Sequence, residues 1–360
     1  MPTAESVQRI DPAHVVGFGA RTSLGLNAVQ TAMLVRARQG KPRAIRFRDR
    51  HERPAGMCIC PAISPDLTGF DRLTALLAPA LVEAFPRVES VGTWPLYLAL
   101  PDKDRPDNDP RLDGEIFQIL AAVTGVPIDV EKSRTFRVGH AGGALAMHAA
   151  LADLHRGAPG AYVAGVESYY HPDVITQLDL EYRLHAFHIE NGFVPGEGAA
   201  VLSLSGTALQ PEKPSIRILR AAWANEDTVV TDEPNLATAM TQILRDLVTE
   251  NGSEKISWAM CDVNAERHRL REWQFASGRG SLTDDARVDR PADDLGDLGA
   301  ASATVFAALA CAYFQTACAP HSTACIAVHS DGPERAAFLV DNRPVSTLNS
   351  LLLGKKAGVK

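Results

Sequence analysis

The chain has 360 residues, 46% apolar and 22% charged, with a net charge of −7. That length holds one large domain or two of about 180 residues, each with a full core. The acidic balance argues against nucleic acid or an anionic membrane as the main partner, and the 27 glycines and 23 prolines imply many tight turns without reaching low complexity.

The opening MPTAESVQRIDPAH has no basic stretch leading into an apolar one, so no secretory signal is read there, and the expected location is the cytoplasm. The strand HVVGFG (residues 14–19) precedes an amphipathic helix over 28–38. Residues 46–60 have the charged texture of a hairpin around Pro54 and Gly56. A helix over 70–85 carries Leu73, Leu76, Leu77, Ala80 and Leu81 on one face. PLYLALP is a strand, 102–113 a polar loop and 115–123 a helix. The segment 138–149, VGHAGGALAMHA, then turns a strand into an Ala-rich helix. Gly142 and Gly143 in its first turn cost roughly 1 kcal/mol each against alanine, which implies close approach by a neighbouring element. Free N–H groups and the helix dipole make such a corner suited to a nucleophile or an anion, yet its side chain is His140. AYVAGVES is a third buried strand, and GFVPGEGAAVLSLS a tight turn and closing strand.

After the linker LQPEKPS the rhythm repeats. SIRILRAAW and ISWAMCDVN read as strands around a helix over 236–249, and 284–297 as an acidic, irregular loop. The run 300–316, too short for a membrane span, reads as a buried helix, and CIAVHS with RAAFLV as a last hairpin. The expected division is 1–206, 214–342 and a tail 343–360, two similar α/β units. Cys58, Cys60, Cys261, Cys311, Cys318 and Cys325 lack zinc-site spacing and read as reduced core thiols.

Five segments, in order, resemble the β-ketoacyl synthase branch of the thiolase fold. VVGFGARTSLGLNAVQTAMLVRARQGK is similar to the first strand, turn and helix, and GALAMHAALADLHRGAPGAYVAGVESY to the nucleophile helix and following strand. GFVPGEGAAVLSL is the most specific match; DVNAERH and LGDLGAASA resemble the loops that carry the two histidines. The resemblance spans roughly residues 14–340. It implies a five-layered αβαβα sandwich of two pseudo-repeated halves, a dimer pairing through residues 161–166, and decarboxylating condensation on a carrier-bound thioester. That reaction needs a cysteine thiolate and two polar groups, histidines in this branch, to stabilise developing charge.

On that alignment the nucleophile position falls on His140, the first histidine on Glu266 and the second on Gly296, with Asp297 beside it. Reaching His268 instead would break the match at VNA. No cysteine lies between Cys60 and Cys261, the family lysine has no counterpart between Ser281 and Leu295, and the phenylalanine-gated turn has become HSDGPER. Glu197 matches a glutamate that holds loops. A His140–Glu266 pair would serve as a general-base dyad if the two were in reach; the commoner reading is a satisfied buried polar pair. His185 and His188 lack a third metal ligand, His148 and His155 read as packing or exposed residues, and neither a metal nor a cofactor is implied.

The expectation is therefore a non-condensing homologue that works by protein–protein contact, as a homodimer or with a homologous synthase. Inactive chain-length factors are one precedent. The VVGFGARTSLGL opening and RAIRFRDRHERPAGM also resemble thiolase-like proteins encoded beside type VI secretion spike components, which implies an adaptor for a secreted effector or spike protein, the reading the short chain favours. The enzymatic alternative is an acyltransferase or hydrolase using His140.

Overall fold

Ten strands, most of them built from the apolar runs above, form the scaffold. The computed structural model describes residues 12–344 apart from 87–91, 188, 209–214, 232 and 251–253. The first half contains β1 (Ala13–Thr22), α1 (Ala28–Arg36), β2 (Arg43–Arg48), β3 (Pro54–Met57), α2 (Gly69–Ala84), β4 (Leu96–Ala99), α3 (Glu115–Thr124), β5 (Arg134–Phe136), α4 (Gly142–His155), β6 (Ala161–Ser168), α5 (Pro172–Leu180) and β7 (Glu197–Ser205). The second contains β8 (Arg217–Asn225), α6 (Thr238–Glu250), β9 (Ile256–Cys261), α7 (Arg267–Ser277), β10 (Leu282–Asp289), α8 (Ala292–Leu295), α9 (Ser302–Gln315), β11 (Thr323–His329) and β12 (Glu334–Asp341).

Strand order runs β10-β9-β11-β12-β8-β1-β7-β6-β4-β5. Read outward from β1 and from β8, the two halves have the same arrangement. β1–β7–β6 are antiparallel neighbours and β6–β4–β5 parallel ones; β8–β12–β11 and β11–β9–β10 repeat that pattern. A short antiparallel contact, Ala13 with Ile218 and His14 with Arg217, joins them.

The helices complete five layers. Leu73, Leu77 and Leu81 of α2 and Ile116 and Leu120 of α3 pack on Leu96, Leu98 and Val201. Ile243, Leu244 and Leu247 of α6 and Trp273 of α7 cover Leu219, Cys325 and Leu339 on the opposite outer face. Between the sheets, Met147 and Leu151 of α4 and Val305, Phe306 and Leu309 of α9 share one core with Val163 and Leu202 on one side and Ile326 and Phe338 on the other. A helix apolar on every side needs cover on every side, and α9 is buried from Ser302 to Phe314. The close approach implied by the glycines is α4 against α9: a Cβ on Gly143 would lie 3.0 Å from the Ala303 Cβ, and one on Gly142 3.1 Å from the Phe136 carbonyl.

Two expectations need correction, and helices α5 and α7 have no counterpart in the sequence reading. Residues 284–297 are not a loop: 282–289 form β10, parallel to β9 at the end of the sheet, and 292–295 form α8. As an edge strand β10 leaves acidic side chains in solvent, so it has no apolar run to read. β6 cannot pair across a dimer, because β4 and β7 already occupy its two sides; the strand at the free end of that half is β5. Helix α7 was unread because its buried face carries Arg269 and Glu272 beside Trp273 and Ala276. The expected boundary near 206–214 and nearly all of the tail lie outside the described residues. Among the described residues no helix is long and apolar enough to cross a membrane.

Candidate functional site

The carboxyl ends of β5, β9 and β11 converge on one buried point. His140 sits on the 3-10 turn Gly139–Ala141 that joins β5 to α4, and is buried. Its Nε2–H donates to both oxygens of Asp297, at 2.9 and 3.1 Å. Its other ring nitrogen, Nδ1, faces Arg269 Nη2 at 3.3 Å. Asp297 also accepts from the Tyr169 hydroxyl (2.9 Å), the Gly299 N–H (2.8 Å) and Asn264 Nδ2 (2.7 Å). Burial alone would raise the Asp297 carboxyl; His140, Arg269 and Asn264 overcome it and hold it far below the usual range. Burial and Arg269 push the His140 imidazole down, Asp297 pulls it up, and the carboxylate prevails, leaving the pKa raised.

His140 and Glu266 do not pair directly, either as the alternative general-base dyad or as the expected satisfied polar pair. Arg269 stands between them, and Glu266 is taken up by cations: it accepts from Arg183 Nε (2.7 Å) and Nη2 (3.1 Å) and from Arg269 Nε (3.2 Å). Burial raises the Glu266 carboxyl, but the two guanidiniums lower it further. Gly296 works through its backbone, at φ 73°, where a Cβ would lie 2.8 Å from the Pro195 carbonyl and 2.9 Å from that of Val194. A side chain there would break the contact between this loop and the PGEG segment. Glu197 ties three elements together, accepting from Arg72 Nη2 (2.7 Å) and Nε (2.6 Å), Cys60 N–H (2.6 Å) and Ser168 Oγ (2.7 Å).

A second imidazole lies in the same cluster. His329 Nδ1 bonds Asp262 Oδ1 at 2.6 Å, and its Nε2 is buried without a partner. Arg269 links the two pairs, donating through Nη1 to Asp262 (3.3 Å) and to the His329 carbonyl (2.6 Å). The Ala141 N–H, at the start of α4, is satisfied by Ser330 Oγ at 3.0 Å. Two histidine–carboxylate pairs joined by one arginine can hold or pass a proton; no nucleophilic thiol is among the hydrogen-bond partners of His140. Cys261 lies in the outer core beneath α6 and α7, and Cys58 Sγ faces the Asp294 carbonyl at 3.9 Å. Burial pushes Cys58 up to about 11 and Cys325 up to about 12, away from thiolate at neutral pH.

Glu266, His268 and Asp331 each offer one donor atom, all within 4.8 Å of one another. Both carboxylates already accept from Arg183 and Arg269, so a cation entering there would meet two guanidiniums. His185 and His155 are exposed, His148 is half-buried, and His188 lies outside the described residues. The sequence reading missed Arg183, Arg269, Asp262, His329 and Asp331. The available signal was the i, i+3 spacing of Glu266, Arg269 and Glu272 beside Trp273, charges on the face that carries the buried tryptophan.

Solved structures share this architecture. The ketosynthase from module 6 of the bacillaene synthase of Bacillus subtilis 168 is 14% identical, with a TM-score of 0.74 over 93% of this chain and 73% of that one. A ketosynthase of a type II polyketide synthase, in complex with its acyl-carrier protein, is 12% identical, with a TM-score of 0.74 over 93% of this chain and 100% of that one. A ketosynthase in complex with its chain length factor, from Xenorhabdus doucetiae, is 12% identical, with a TM-score of 0.71 over 92% and 98%. No family model matches the sequence, and no curated protein matches it. The chain has the thiolase-like ketosynthase fold.

Proposed function

We propose that this protein keeps the ketosynthase scaffold without its condensing chemistry and acts by pairing with another protein. The observation that carries this reading is the state of the corner residue. His140 is held between Asp297 and Arg269, the Ala141 N–H is already bonded, and Gly296 has no room for a side chain. Losing one oxyanion donor typically lowers a rate about 10²–10³-fold, and here a nucleophile and both histidine positions differ. The purified protein incubated with malonyl and acyl thioesters should show neither decarboxylation nor acyl transfer above a buffer control. Sustained turnover abolished by His140→Ala would replace this reading with that of an acyltransferase or hydrolase.

The proposed partner is a homologous synthase, with a second copy of this chain as the homodimeric form. β5, at the end of the first half's sheet, is the edge open to another strand, and the similar structures include a ketosynthase held by a chain length factor. The adaptor reading has its own observation: the β2–β3 hairpin presents Arg43, Arg46, Arg48, Arg50 and Arg53 to solvent on a chain of net charge −7. Co-expression followed by sizing separates them. A complex with an active ketosynthase supports the first, and a complex with a secretion spike or effector protein the second. The division into halves 1–206 and 214–342 with a tail 343–360 belongs to the same proposal.

A further inference from the structure

We propose that Arg183 and Arg269 form a carboxylate-binding site whose resident ligand is the chain's own Asp331. Two guanidiniums are fixed from behind and share one ligand in front. Behind, Arg183 Nε bonds Glu266 at 2.7 Å, and Arg269 bonds Glu266 through Nε (3.2 Å) and Asp262 through Nη1 (3.3 Å). In front, Arg183 grips Asp331 as a fork, Nη1 to Oδ2 at 2.8 Å and Nη2 to Oδ1 at 3.1 Å, while Arg269 Nη2 also donates to Oδ1. Parallel N–H donors of this kind match the plane and spacing of a carboxylate.

The ligand differs from its site in exposure. Arg269 has a side-chain exposure of 0% and Arg183 of 25%, but that of Asp331 is 50%. Its turn is pinned: Arg335 Nη1 donates to the carbonyls of Ser330 (3.0 Å), Gly332 (2.6 Å) and Glu334 (3.0 Å), and the Pro333 carbonyl accepts from the Glu226 N–H (2.8 Å). The backbone therefore stays, and only the Asp331 side chain has to rotate for an incoming anion to take its place. Glu266 and Asp262 behind the arginines repel a second negative charge, so the site suits a singly charged planar carboxylate over a phosphate dianion. A tethered carboxylate acts at an effective concentration of about millimolar or more, which keeps the wild-type site closed to dilute small acids.

The test titrates Asp331→Ala with formate, acetate, phosphate and chloride at equal ionic strength, reading Tm. Formate and acetate should raise Tm saturably, by about 2–5 °C, while chloride and phosphate do less. Wild type should respond no more to formate than to chloride, and Arg183→Lys placed on Asp331→Ala should weaken the formate response by removing the fork. If Asp331→Ala cannot be recovered, the neutral isostere Asp331→Asn is titrated instead and should rank the anions in the same order. A formate response no larger than chloride's in the recovered variant, or one untouched by Arg183→Lys, overturns the proposal. The readout is binding, so the outcome stands apart from whether the protein condenses thioesters.

Discussion

Removing Asp297 would leave His140, Tyr169 and Asn264 facing a buried gap. Breaking one side of a buried, hydrogen-bonded charge pair costs about 3–5 kcal/mol, so Asp297→Ala should lower the urea midpoint well beyond a typical core substitution. The pair also sets a pH dependence. Asp297 is depressed, so its stabilisation is present above the ordinary carboxyl value of about 3.9 and fades as pH falls toward its folded value. His140 is raised, so its stabilisation is full below about 6.5 and is lost as pH rises through its folded value. Stability should therefore fall between mildly acidic and alkaline pH in wild type, and less so in His140→Gln; equal slopes in urea titrations would contradict this. Putting back the missing sulfur tests the proposed lack of chemistry. His140→Cys should remain without measurable condensation, because neither oxyanion donor is restored with it. At this scale the sequence singled out His140, Glu266 and Gly296, which on the proposed alignment stand at the positions of the nucleophile and the two histidines. It did not show that Asp297, named only as a neighbour of Gly296, is the partner of His140, because the two are 157 residues apart and only folding joins them.

Most elements were legible because their apolar residues repeat with the period of the structure they form. β6 is buried along all eight residues, and α2 carries its leucines on one stripe even across Pro79. Of the elements not read, β10 and α7 follow from charge, one at a solvated edge and the other burying ionic side chains, while α5 is a short helix of nine residues with Val174, Ile175 and Leu178 buried. The glycines of α4 were read correctly as a sign of close approach, and that contact is testable. Gly143→Leu would drive a side chain into Ala303 and Thr304 of α9, and overpacking of this kind costs about 1–3 kcal/mol or more. Thermal melts should show a clear loss, whereas Gly157→Ala, at a position with nothing within 4 Å, should show only the smaller strain of its φ of 95°. Gly296→His, which on the proposed alignment would place a histidine at the second family position, should yield little folded protein, since its Cβ falls on two carbonyl oxygens.

At the scale of the molecule, the two halves repeat one arrangement but share their middle layer. Met147 and Leu151 of one half and Phe306 and Leu309 of the other lie in a single core. Residues 1–206 expressed alone would expose that apolar face and should be insoluble or aggregate, while the full chain should unfold in one cooperative transition. Two well-separated transitions in calorimetry would show that the halves are independent. The likeness of the halves places the turn before α4 opposite the turn before α9, so His140 and Ala300 occupy equivalent corners.

Most strands and helices, the close approach at Gly142 and Gly143 and the histidine in place of a thiol at the turn before α4 were in the sequence, because each depends on local pattern or on residue identity. The pairing of charges across distant segments was decided only by the tertiary structure. Arg183, Asp297 and Asp331 come from three segments distant from the stretch that holds Asp262, Glu266 and Arg269, and an ion pair formed across distant segments leaves no periodic trace in the chain.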